Sequence, residues 1–349
     1  MSPSLFLGAT RPLDGSPQVG ALHVPAHHLV THGVVVGMTG SGKTGLVTVL
    51  VEEALRAGVP VLAIDVKGDL PNLLLAFPSF DPAHVRPWVE PRPGEPEGAA
   101  DALAARLAEE RQRGLEAYGI RGEDLSAFAR ASHVRVITPG ADAGEMLHVL
   151  SALERRSARW DSDPDGARSA LSAAISLILR LLGRDPDPAR SREHVLLSVL
   201  AERHLAAGEP ADIARLLPEI LEPPFASIGA LDVNGFMPKR ARRELAAALN
   251  TLLASPSFAS WRRGATLDVD AWLQPHEGRT PATILSVAHP GRRRARPGAR
   301  RVVLEEILSW VRGLPGSQRL RALIVFDEVY GFLPPHPASP RPSAPSSPS

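Results

Sequence analysis

Apolar residues follow two rhythms along this chain. Short unbroken runs occur at Val34–Val36, Val59–Ile64, Val134–Ile137 and Ile284–Val287, and a fifth, "ALIVF", leads into Asp327. Runs without polar alternation fit strands buried on both faces, as in a parallel sheet. Between them the spacing lengthens to three and four. After Lys43, residues Leu46, Val49, Leu50, Ala54 and Ala57 make one apolar face, and Gly58 stands where a helix stops. Residues 100 to 130 and 165 to 255 are helical in pattern. Within the second region "KRARRELAAALNTLLAS" sets Leu245, Leu249, Leu252 and Leu253 on one side. "LSAAISLILRLLG", residues 171 to 183, is too short to span a bilayer and carries Arg180, so it reads as a buried core helix. Strands alternating with helices predict an α/β fold, a mostly parallel sheet flanked by helices.

The same reading divides the chain. Residues 1–30 form a short β-rich lead-in, 31–138 the first part of the core and 139–280 a largely helical insertion. Residues 281–333 are the second part of the core. Residues 334–349, "PPHPASPRPSAPSSPS", are too rich in proline and serine to bury a core and predict a disordered tail.

Composition narrows the function classes. With 39 basic against 38 acidic side chains there is no overall field to gather nucleic acid or an anionic membrane, so such a partner must be held by local patches. The absence of cysteine excludes disulfides and thiolate metal sites and fits a reducing compartment. The first residues lack a basic secretory n-region, and the expectation is a cytoplasmic protein with no membrane partner. Only Lys43, Lys67 and Lys239 are lysines among the basic residues. A compact ammonium is not equivalent to a planar guanidinium, which marks these three as positions where the difference counts.

The candidate chemistry begins at "GMTGSGKT", which satisfies G-x-x-x-x-G-K-[ST] with Gly37, Met38, Thr39, Gly40, Ser41, Gly42, Lys43 and Thr44. Glycines let backbone N–H groups turn inward around a phosphate, and a helix N-terminus adds partial positive charge. In this P-loop NTPase reading ATP and Mg²⁺ are the cofactors, Lys43 reaches the β- and γ-phosphates and Thr44 ligates the Mg²⁺. Asp327, at the end of the fifth run, holds the metal shell, and Glu328 accepts a proton from the attacking water. No N-K-x-D guanine motif is present. Asp65, Lys67 and Asp69 follow the second run, at the sheet edge where open α/β folds place ligands. Lys239, Arg240, Arg242 and Arg243 read as a solvated helix start, and His27, His28 and His32 as structural.

These motifs, with "VLAIDVKGDLPNLLLAFP", "EPPFASIGALDV", "LNTLLASPSFASW" and "ATILSVAH", resemble bacterial HerA-type ATPases of the HerA/FtsK superfamily over nearly the whole chain up to Pro335. The resemblance implies a RecA-like (ASCE-like) core with a helical insertion, with Gly37 to Thr44 as Walker A and Asp327 with Glu328 as Walker B. It also implies a hexameric homo-oligomeric ring acting on DNA.

Two departures set further expectations. Members of that family continue well beyond Walker B to a sensor strand and an arginine offered to the neighbouring subunit, whereas this chain turns to proline and serine. "GRRRARPGARR", residues 291 to 301, has the composition of GC-rich codons read out of frame, as has the segment from residue 339; the rival reading is a basic loop on DNA phosphates. The expectation is a nucleotide-binding core with weak turnover. A truncated nucleotide-binding fragment and a phosphotransferase are the alternatives.

Overall fold

The computed structural model describes residues 3–10, 12–14, 20–90, 96, 98–288 and 296–328. The chain opens with an antiparallel pair, β1 (Ser4–Thr10) and β2 (Gly20–Pro25), whose register slips between Phe6 and Gly8. Gly8 sits at φ 133°, a backbone conformation that side chains rarely adopt, and this is where the bulge forms. The Phe6 N–H donates to Glu53 Oε2 at 2.9 Å, tying the pair to helix α1 (Lys43–Arg56).

Four strands build the central sheet. They are β3 (Val61–Asp65), β4 (Ser132–Ile137), β5 (Thr280–Ser286) and β6 (Leu323–Phe326), ordered β6-β3-β5-β4 with every neighbouring pair parallel. Side chains alternate across the sheet. Val61, Ala63, Ala282, Ile284, Leu323 and Val325 face a core with Val51, Ala54 and Leu55 of α1, while Leu62, Ile64, Ile137 and Leu285 face a second, larger core. Continuous apolar runs are what two covered faces require.

The larger core is helical. It draws on α4 (Pro164–Leu181), α5 (Arg192–Ala206), α6 (Ile213–Leu221), α7 (Lys239–Ala254) and α8 (Arg296–Gly313), after α2 (Ala99–Glu116) and α3 (Gly122–Ala131) have led into β4. Half of α4 is buried, nearly all of it from Leu171 to Leu179 as the apolar sequence there predicts, with Arg180 exposed. Leu245 and Leu249 of α7 are buried as well. The result is an α/β fold, a four-stranded parallel sheet flanked by helices and compatible with a P-loop-like architecture.

Two sequence expectations are corrected here. Val34–Val36 is not a strand: residues 32–38 join no ladder, and Val34 and Val36 are 84% and 86% exposed. A β-branched run has the extended preference but still needs a hydrogen-bonded neighbour. Among the described residues the sheet ends at β6 on one side and β4 on the other, and neither edge takes this segment. The buried face of α1 is also rotated from the expected one. Val51, Ala54 and Leu55 point inward with Val47 and Leu50 beside them, while Leu46 is exposed. Residues 291–295 of the arginine-rich stretch and the tail at 334–349 lie outside the described residues.

Candidate functional site

The site sits where the parallel strands end. Asp65 closes β3 and is fully buried. Its Oδ1 accepts from the Gly68 N–H and its Oδ2 from Ser286 Oγ, both at 2.8 Å. One carboxylate thus folds the turn after β3 and fastens that strand to the end of β5. Gly68, at φ 95°, is required by this turn, since an added Cβ would also press on Ala288 at 3.2 Å.

The same turn presents Lys67, whose Nζ donates to Glu328 Oε1. Glu328 follows β6 and has φ 56°, uncommon for a residue with a side chain. The hydrogen bond and charge of Lys67 hold the Glu328 carboxyl below the usual carboxylate range, and the charge of Lys43 pulls it the same way. In return the bond to Glu328 pushes the Lys67 ammonium above the usual lysine value. Asp327 extends the pairing of β6, its N–H donating to the Ile64 carbonyl at 3.0 Å. Burial pushes its carboxyl up, with Asp65, Glu328 and Asp69 adding to the rise and Lys67 opposing it. Asp327 Oδ2 is buried with no hydrogen-bond partner. Asp69 is exposed.

The glycine-rich loop leads into α1. Gly40 and Gly42 have φ 81° and 86°, and a Cβ on Gly37 would collide with Ser41 Oγ and crowd the Lys43 stem. Lys43 Nζ donates to the Met38 carbonyl at 2.7 Å, so the ammonium lies folded back over the loop. No side chain caps the N-terminus of α1, and its first turn holds no acid. Those N–H groups are therefore free of the usual competitors for an anion.

Other sequence candidates fall elsewhere. The start of α7 is not wholly a solvated face. Lys239 pairs with Glu222 and Arg240 with Glu244, but Arg242 is 3% exposed, donating to the Met237 carbonyl and Asn234 Oδ1 at 3.2 Å each. Burial at position 242 follows from its falling on the side of α7 that carries Leu245, Ala246 and Leu249. His27 and His28 meet edge-on with ring centroids 4.5 Å apart. Among the described residues no group of three or more His, Cys, Asp or Glu side chains is arranged to hold a metal ion by itself. Sequence reasoning missed Ser286 altogether, because one serine at a strand end carries no local signal. It did single out Lys67 by the scarcity of lysine, without its partner.

Residues 15–78 match the family model described as helicase HerA-like C-terminal. The matched span holds β2, the glycine-rich loop, α1, β3 and the turn with Lys67, and it supports a HerA-family relationship. No curated protein and no solved structure matches the chain. Among the described residues, no helix is long and apolar enough to cross a membrane.

Proposed function

We propose that this HerA-related chain binds ATP with Mg²⁺ at Gly37 to Thr44 and hydrolyses it, the hydrolysis being coupled to DNA processing in a homo-oligomeric ring in the cytoplasm. The observation that carries the reading is the geometry of the glycine-rich loop. Gly40 and Gly42 turn it at φ 81° and 86° into the uncapped N-terminus of α1, with the Lys43 ammonium folded over it on the Met38 carbonyl.

The residues fit the group they are asked to hold. Asp327 has a buried oxygen with no hydrogen-bond donor, a position a cation would satisfy, and Thr44 stands in the first turn of α1. When bound, Mg²⁺ neutralises phosphate charge, and it would be held by Thr44 and Asp327 with phosphate oxygens and water completing its shell. The loop N–H groups donate to phosphate oxygens. Lys43, with three donors, keeps its bond to Met38 and still offers protons to a phosphate. Glu328 accepts a proton from water; ionised and paired with Lys67, it is a weak base until that partner moves.

The test is a titration with a fluorescent ATP analogue, followed by phosphate release with and without double-stranded DNA. Magnesium-dependent binding that Lys43→Ala removes supports the reading, and equal binding by the variant overturns it. A second reading, nucleotide binding with little turnover, is favoured by the engagement of Glu328 with Lys67. Phosphate release that DNA leaves near background would select it.

A further inference from the structure

Two of the three lysines in the chain bear on a single carboxylate, one by contact and one by charge. Lys67 bonds Glu328 from the turn after β3, while Lys43, folded over the glycine-rich loop at the head of α1, acts on the same carboxylate through its charge. The turn itself is rigidly set, since Asp65 is buried beneath it and bonded to both Gly68 and Ser286. The Lys67 side chain, by contrast, is half exposed, so its ammonium is free to change partners while its backbone stays fixed.

We propose that Lys67 is a positioning residue that exchanges partners, bonding Glu328 when no triphosphate is present and turning to the terminal phosphate when one arrives, which releases Glu328 to act on water. The inference rests on the ATP reading above. Its logic is competition for one ammonium. A carboxylate oxygen that accepts from an ammonium is not available to a water proton, and a phosphate dianion beside Lys43 is the stronger attractor for a neighbouring cation. A diphosphate, ending one group short, leaves Lys67 where it is. Lys67 would thus report the terminal phosphate from the strand next to β6.

The exchange predicts a coupling that binding alone can read. In the wild type, triphosphate binding must break the Lys67–Glu328 bond, so Glu328→Gln, which weakens that bond without changing shape, removes a cost. A fluorescent ATP analogue with a β,γ-imido bridge and fluorescent ADP are titrated into wild type, Glu328→Gln, Lys67→Ala and the double variant. Glu328→Gln is expected to tighten the triphosphate about two- to fivefold and leave ADP unchanged, in keeping with the modest strength of an exposed pair. Lys67→Ala is expected to erase that gain, and Lys67→Arg to restore part of it. If the gain persists in the Lys67→Ala background, or is absent from Glu328→Gln, the exchange is wrong while the ATP reading stands. A wild type that binds neither nucleotide sinks the ATP reading and the exchange with it.

Discussion

Lys67 and Glu328, 261 positions apart, meet as an ion pair at the ends of two neighbouring strands. The register of β3 against β6, with Ile64 opposite Phe326, is what makes the meeting possible, because it brings the residues that follow both strands to one level. Glu328 is therefore placed by the sheet and oriented by a lysine.

Replacement of Glu328 by glutamine is expected to keep nucleotide binding and suppress turnover by about 10² to 10⁴, the usual worth of a positioned general base. Steady-state phosphate release beside a binding titration measures both. Unchanged turnover would reduce Glu328 to an acid that merely ends a strand.

Asp65→Ala is expected to cost about 1–3 kcal/mol, because it leaves the buried hydroxyl of Ser286 without its acceptor and removes the bond that shapes the turn at Gly68. Chemical denaturation reads the loss. Ser286→Ala, which leaves the Gly68 bond intact, is expected to cost less.

Val34→Ser and Val36→Ser are expected to change stability by no more than about 0.5 kcal/mol, since both side chains face water. Ile64→Ala, in the sheet, is expected to cost about 2–5 kcal/mol. A loss of that size at position 34 or 36 would mean that the segment is packed like a core strand.

His194 predicts a pH effect of fixed sign. It is buried, its Nε2 bonds the Ser172 carbonyl at 3.1 Å, and Ser198 Oγ meets Nδ1 at 3.2 Å, an arrangement suited to the neutral ring. Burial holds its pKa below the usual histidine value. The unfolded chain takes up the proton first, so stability is lost as pH falls below about 6.5 toward the folded value. Melting temperature followed from pH 7.5 to 5 is expected to fall less steeply in His194→Gln. His133, also lowered by burial and by its neighbours His276, Arg279 and Arg135, acts in the same direction, so part of the slope survives.

The sequence made the sheet legible where apolar runs were long enough to cover two faces, as at residues 61–65 and 323–326. It failed at Val34–Val36 because composition encodes a preference for extended backbone and not the neighbour that completes a ladder. Around β3 the limit was finer. Asp65, Lys67 and Asp69 look alike in a short polar window, yet one is a buried fastener, one is paired across the sheet and one is exposed. What sets the first two apart is the partner each meets from the end of β5 or beyond β6, and those partners lie more than two hundred residues downstream. The glycine-rich loop was legible because its requirement is local: Gly40 and Gly42 adopt backbone angles that other residues rarely reach.

The bond between Phe6 and Glu53 gives α1 a second role. Lys43 stands at one end of this helix and Glu53 ten residues on, a span of about 15 Å along a rod that resists stretching and bending. The lead-in pair and the glycine-rich loop thereby meet the same helix at different points along its axis. β1 and the Lys43 end of the loop are thus fastened to one helix about three turns apart.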